Sequence, residues 1–273
     1  LARDLLDHLP ANSGERPPRW RSAEPPGYDP GDRVPESDRK VYDVRDVVRG
    51  IVDGGRLLEY ASRWARNVVC GFARVEGRSV GVVANQPRYL GGVLDADSAT
   101  KAARFVRTCN AFRLPLVVLV DTPGFMPGTR QEQGGVIRHG AKLVHAFAEA
   151  SVPKMTVVLR KAFGGAFIAM NARDLGADYT FAWPQATLGV MGAKQAVGIV
   201  NRRELAAAED PTALRDELAA RYTEEHLSAD TAAAEGFVDE VIEPRDTRRH
   251  LIEALTTLDA VAPAATRIRN IPL

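Results

Sequence analysis

A β-branched run that ends in a glycine pair and passes straight into an apolar helix constrains this chain more than any other stretch. Residues 152–160 contain Thr156-Val157-Val158-Leu159, the pattern of a strand buried on both faces. Lys161-Ala162-Phe163 and Gly164-Gly165 follow, and residues 166–173 read as a helix. Glycine lets a backbone take positive φ or come close to a ligand. At a helix start the N–H groups of Gly165 and Ala166 lack a carbonyl four residues behind them, so they can hold an oxyanion without any side chain. A tight turn packing a helix on a sheet would use the same two glycines, so the pair takes its meaning from its surroundings.

Those surroundings begin with a segment that cannot build a core. Seven of the 17 prolines stand between residues 10 and 40, which predicts an extended connector over 1–40. Its first ten residues resemble the last turns of a helix belonging to something upstream. A domain is expected over 41–260, and a weakly patterned tail over 261–273. Asp43 caps a helix that puts Val44, Val47, Val48 and Ile51 on one face and stops at Gly54. Strands at 67–75 and 78–85 meet at Glu76-Gly77 as a hairpin. The second strand runs into Asn85-Gln86-Pro87, whose side-chain amides either satisfy the turn or donate to a carbonyl or phosphate ligand.

Helices and strands then alternate, which predicts β-α-β crossovers and a largely parallel sheet. A helix over 98–112, with Ser98 as cap, buries Ala102, Phe105, Val106 and Cys109, and a strand follows at 116–120. The loop 121–128 places Gly124 and Phe125 at the carboxyl end of that strand, where α/β ligand sites lie. Residues 131–135 open a long helix carrying Ile137, Ala141, Val144 and Ala148. There Gly134-Gly135 repeats the device of a glycine pair feeding a helix start. Residues 179–183 form a short aromatic strand. Beyond it, Met191-Gly192 marks another handover from strand to helix, and a thioether beside glycine suits an apolar pocket wall.

Composition excludes several functions. With 36 basic and 35 acidic residues the net charge is +1, which leaves no electrostatic footprint for nucleic acid or an anionic membrane. Cys70 and Cys109 form no CxxC, so neither a disulfide framework nor a zinc site is expected, and a cytoplasmic location is. His139 and His145, six residues apart, face different ways, and no metal site is expected. No stretch of about 18 apolar residues suggests a membrane span. A G-x-S-x-G elbow is absent too, so serine hydrolysis is not expected.

Six motifs stand in one order: Asn85-Gln86-Pro87, Asp121-Thr122-Pro123-Gly124-Phe125, Gln131-Glu132 with residues 135–142, residues 160–166, Ala182-Trp183-Pro184 and Val190-Met191-Gly192-Ala193. From about residue 40 to residue 258 the series resembles the C-terminal half of the carboxyltransferase (β) subunit of biotin-dependent acyl-CoA carboxylases, of the propionyl-CoA type. The resemblance implies an α/β fold, the crotonase-like ββα superhelix. It also implies transfer of CO2 from carboxybiotin to the α-carbon of a short or medium acyl-CoA such as propionyl-CoA. Biotin would arrive on a separate carrier domain of a biotinylated α subunit. Acyl-CoA would be held mainly by the N-terminal half of the same subunit, and a homo-hexamer would bring the halves of neighbouring subunits together. Carried onto this chain, the amides of Gly165 and Ala166 would bind the ureido oxygen of biotin. Gly124, Phe125, Gly135, Ile168, Met191 and Gly192 would form the biotin and acyl pocket, with Ile168 where some relatives carry Asp. Gln195 stands where the family commonly has Gly, Gln133 replaces an aromatic or His, and Asn110 replaces Asp. A biotin-dependent decarboxylase subunit and a non-catalytic assembly subunit are the alternatives.

Overall fold

The computed structural model describes residues 2–37 and 40–259. Among them, eight strands form one sheet: β1 (Leu58–Tyr60), β2 (Val68–Val75), β3 (Arg78–Asn85), β4 (Leu116–Thr122), β5 (Lys154–Phe163), β6 (Tyr179–Ala182), β7 (Thr187–Gly189) and β8 (Glu240–Val241). The order is β1-β2-β3-β4-β5-β6-β8, with β7 also paired to β5. Strands β1 to β3 are antiparallel, and every pairing from β3 onward is parallel. This is the crotonase-like α/β architecture that the resemblance implies.

The pattern of β4 explains the two-sided packing. Leu116, Val118 and Val120 enter one core with Phe105, Cys109, Leu143 and Phe147. Val117 and Leu119 enter the other with Val157, Leu159, Trp183 and Leu255. Successive side chains of a strand point to opposite faces, so a strand covered on both sides must be apolar at every position. The hairpin forms where expected: Glu76 and Gly77 both have positive φ, 51° and 73°, which matches the twist of the flanking strands. A Cβ on Gly77 would lie 1.9 Å from the Trp20 carbonyl oxygen, so the connector can cross there only over glycine. The connector is anchored as well as extended. It starts with a short helix, Ala2–Leu6, and buries His8, Pro30 and Val34.

Several boundaries differ from the sequence reading, among them the end of the Asp43-capped helix at Ile51 rather than at Gly54. The helix expected from Ser98 is Ala96–Ala111, and its cap is Asp95. Asp95 accepts from the Ser98 amide while Ser98 Oγ accepts from the Asp95 amide, both at 2.9 Å, a reciprocal capping box. The long helix is broken into Thr129–Gln133 and Val136–Glu149, because Gly135 adopts left-handed backbone, φ 75°. Its buried face is Val136, Gly140, Leu143 and Phe147, whereas Ile137 is 76% exposed. Asp121 and Thr122 belong to β4 rather than to a loop, and β5 continues to Phe163 before the helix Gly164–Ala169. The expected tail lies outside the described residues. No helix among the described residues is long and apolar enough to cross a membrane.

Candidate active site

The site grows from the carboxyl ends of β4 and β5, where their register shifts. Val120 pairs with Val158 but Thr122 pairs with Ala162, so Asp121 alone faces Leu159, Arg160 and Lys161. A bulge of this kind re-aims side chains, and here both Arg160 and Lys161 turn toward one carboxylate. Arg160 Nε lies 3.1 Å and Nη2 3.0 Å from Asp121 Oδ2, and Lys161 Nζ lies 3.9 Å from Oδ1. Asp121 is fully buried, which pushes its carboxyl above the ordinary range against the pull of the two cations. The remaining guanidinium nitrogen of Arg160 donates to the carbonyl oxygens of Pro35, Ser37 and Lys40 at 3.3, 3.0 and 3.0 Å. Tyr42 lies under the guanidinium, 5.2 Å from its ring centroid, and burial raises its phenol well above the usual value.

Past the bulge, Lys161, Ala162 and Phe163 pair with β7. Gly164 then turns the chain with φ 60°, and a Cβ there would lie 3.2 Å from the Val190 carbonyl oxygen. The amides of Gly165 and Ala166 lie in the first turn of the helix Gly164–Ala169, which no side chain caps. Gly165 is exposed, and the nearest atoms to a Cβ built on it belong to the Phe125 ring at 3.8 Å. Ala166 is buried directly beneath.

Beside this turn opens a largely apolar cavity of about 620 Å³. Of the residues singled out from the sequence, Gly165, Ile168 and Met191 line it. Phe125 stands behind the turn, its ring wedged against Gly140, whose Cβ would lie only 2.9 Å away. Gly124, with φ 139°, holds the Phe125 loop by accepting from the Leu94 amide at 3.0 Å. Gly192 begins the helix Ala193–Val200, where Gln195 Oε1 folds back to 2.9 Å from the place a Gly192 Cβ would take. Gly135 starts the helix that carries Gly140 and does not border the cavity. The far wall comes from Ile199, Val200, Tyr222, His226 and Phe237, which sequence reasoning did not pick out. Their one local signal is exposure of large apolar residues: Ile199 is 67% and Val200 75% exposed.

Asn85 and Gln86 are fully buried, and their amides are engaged within the protein. Asn85 donates to the Gly92 carbonyl and accepts from the Asp121 amide. Gln86 donates to Asp43 at 2.6 Å and accepts from the Val44 and Arg88 amides. Of the two roles read from the sequence, satisfying the turn is the one they perform, and the ligand-donor role is corrected accordingly. A second cavity, of about 520 Å³, lies at the opposite, amino ends of β4 and β5 beside Pro115 and Pro153. There Arg19 is paired with Glu76 and Arg78 with Glu76 and Asp259.

Comparison with known proteins gives a consistent result. The carboxyl transferase domain model matches residues 1–268. The carboxyltransferase subunit of propionyl-CoA carboxylase from Haloferax mediterranei is 50% identical over 259 residues, covering 94% of this chain and 50% of that protein. Methylmalonyl-CoA decarboxylase subunit alpha of Propionigenium modestum is 43% identical over 278 residues, covering 99% of this chain and 53% of that protein. Among solved structures, the transcarboxylase 12S hexamer with methylmalonyl-coenzyme A and methylmalonic acid bound superposes with a TM-score of 0.92 at 48% identity, covering 100% of this chain and 53% of that one. The chain spans about half the length of the relatives it matches. With a domain model over nearly its whole length and half-identical relatives across it, the chain belongs to the carboxyl transferase domain family.

Proposed function

We propose that this chain is the carboxyl-transferring half of a biotin-dependent acyl-CoA carboxylase, acting on a short or medium acyl-CoA such as propionyl-CoA. It works in the cytoplasm with an N-terminal half, within a hexamer that receives biotin from a biotinylated partner. The observation that carries this reading is the uncapped turn of Gly165 and Ala166, whose Gly165 borders an apolar cavity while Ala166 is buried behind it. That turn suits an oxygen of the biotin ring: space is open beside Gly165, and no side-chain acceptor competes for the two donors. Biotin, when bound, supplies the carboxyl group that is transferred.

The residues of this chain then have three tasks. The Gly165 and Ala166 N–H groups hold an oxygen that gains negative charge during transfer, and they need no reorganisation because the helix fixes their direction. Losing one such donor typically costs about 2.7–4 kcal/mol in the barrier. Ile168, Met191 and their neighbours keep water out, which strengthens those hydrogen bonds. Phe125, packed on Gly140, backs the turn and fixes its position. No acid–base dyad is required of this chain, because the oxygen held by the two amides would itself take the α-carbon proton as the new C–C bond replaces the C–H bond.

A second reading is release of CO2 from a methylmalonyl-type thioester, favoured by the 43% identity to the Propionigenium modestum decarboxylase subunit. One assay separates the two. The complete subunit, combined with its biotinylated partner, is given acetyl-, propionyl- and longer acyl-CoAs with bicarbonate and ATP and, in a parallel reaction, methylmalonyl-CoA without them. Carboxylation that disappears in Gly165→Pro supports the proposal. Transfer only from methylmalonyl-CoA to biotin selects the second reading. Carboxylation that survives Gly165→Pro removes the turn from the site.

A further inference from the structure

The buried cluster of Asp121, Arg160 and Lys161 has no part in the three tasks above, yet it sits directly before the glycine turn. Its composition is expensive. Two oppositely charged groups are taken out of water, and a pair of apolar residues of similar volume commonly packs such a place at no loss of stability. The position is specific too. Asp121 stands at the register shift between β4 and β5, opposite the three residues that β5 fits into the space of one. On the far side of that shift, Ala162 and Phe163 lead into Gly164. The direction in which β5 leaves the sheet is therefore set where Arg160 and Lys161 both turn to Asp121.

Arg160 is held on every side. Two of its nitrogens face Asp121 Oδ2, the third donates to carbonyl oxygens of Pro35, Ser37 and Lys40, and its own carbonyl accepts from Thr187 Oγ1 at 3.3 Å. Thr187 opens β7, the strand that braces Lys161, Ala162 and Phe163. The Asp121 amide in turn donates to Asn85 Oδ1. Four residues before Gly164, the Arg160 guanidinium thus joins the connector to β4, and the Arg160 backbone carbonyl ties β5 to β7.

We infer that Asp121 and Arg160 are positioning residues for carboxyl transfer: their ion pair locks the β5 bulge and thereby aims the Gly165 and Ala166 amides. The inference rests on the proposal that this turn is the site. A fork of fixed geometry is what the role requires, because a lysine in its place would keep the charge but could not face Asp121 and the connector carbonyls at once.

The test uses the complete subunit with its biotinylated partner and the variant Arg160→Lys. The expected result is a fall in kcat of about tenfold or more with KM for propionyl-CoA within about twofold, the signature of stabilisation removed from the transition state while substrate binding is kept. Amide hydrogen exchange over residues 163–167 is expected to accelerate, while exchange in the β2–β3 hairpin stays as it was. A kcat within twofold of the parent together with unchanged exchange over 163–167 overturns the inference. Should Arg160→Lys fail to fold, the double variant Asp121→Asn with Arg160→Gln takes its place, since it removes both charges of the Asp121–Arg160 pair together and leaves Lys161, the more exposed member, as the one remaining charge. The same two outcomes then decide. Gly165→Pro keeps the two ideas apart. If it transfers normally, the reading of the turn as the site fails, and the exchange data alone decide the positioning role. If it is inactive while Arg160→Lys is fully active with unchanged exchange, only the present inference fails.

Discussion

The ammonium nitrogen of Lys101 lies 2.7 Å from the carbonyl oxygen of Val68, on a side chain that is fully buried. It also donates to Trp64 at 3.0 Å and Ala65 at 3.4 Å, so one cation gathers two carbonyls of the loop before β2 and the carbonyl of its first residue. That loop needs a tether, because Ala61 and Ala65 both sit in left-handed backbone, φ 49° and 44°. Lys101→Met keeps the length of the side chain and strands those carbonyls. The expected cost is about 2–3 kcal/mol, read as a lower urea midpoint at unchanged slope.

Gly164 has φ 60° and the Val190 carbonyl 3.2 Å from where a Cβ would be. Gly164→Ala is expected to lose about 1–2 kcal/mol from left-handed strain. Because the strain falls on the turn itself, carboxyl transfer should fall further than stability does, which a parallel measurement of melting temperature and kcat checks.

Gly140 and Gly165 both border the Phe125 ring, Gly140 the more closely. Gly140→Ala puts a methyl 2.9 Å from that ring and pushes it toward the turn, an overpacking expected to cost about 1–3 kcal/mol. Adding Phe125→Leu should recover part of the stability but not the activity. A double-mutant cycle gives the coupling between the two positions.

Burial first, and the nearby Arg74 second, hold the His8 imidazole at about 4 rather than 6.5. The native state therefore binds fewer protons than the unfolded chain between those values, so its stabilising effect is complete above pH 6.5 and is lost as pH falls toward 4. Trp20 reports on this segment because its ring N–H donates to the Asp7 carbonyl. Its fluorescence should change through that window in the parent and not in His8→Gln.

Both cysteines are fully buried, and burial pushes the Cys70 thiol up to about 12 and the Cys109 thiol well above its usual value. The native protein should react with no equivalent of a thiol reagent at pH 8, and the urea-unfolded protein with two.

Much of this fold is legible in the residues themselves, and what is hidden has a common cause. The runs in β4 and β5, the Glu76-Gly77 hairpin and the Asp43 cap depend on neighbours in the chain, so local pattern finds them. Asp95 was legible in principle, since Asp and Ser three apart form a reciprocal cap, but either residue type can serve alone. The bulge at Asp121 was not legible. Register between β4 and β5 is a long-range property, and Asp-Thr-Pro-Gly reads locally as a loop. The fate of Asn85 and Gln86 likewise depends on Asp121 and Asp43, 36 and 43 residues away. Gly165 and Met191 are legible because glycine and a soft apolar side chain at strand ends carry a local signature, whereas Ile168 is picked out only through the family resemblance. Ile199, Val200, Tyr222 and Phe237 carry none in the sequence: the exposure of Ile199 and Val200 shows only in the fold, and with Tyr222 and Phe237 they come from separate stretches of chain that the fold brings together.

Strand β5 outlasts its neighbours. Residues Met155 to Val158 are clasped by β4 and β6, while Lys161 to Phe163 touch only the short β7 and the end of β4. The strand is thus anchored like a beam in a wall, with the glycine turn mounted on its projecting end. Substitutions at the projection can reshape the cavity beside it without loosening the masonry, and lesions in the wall can weaken the protein while leaving the lining of that cavity as it is.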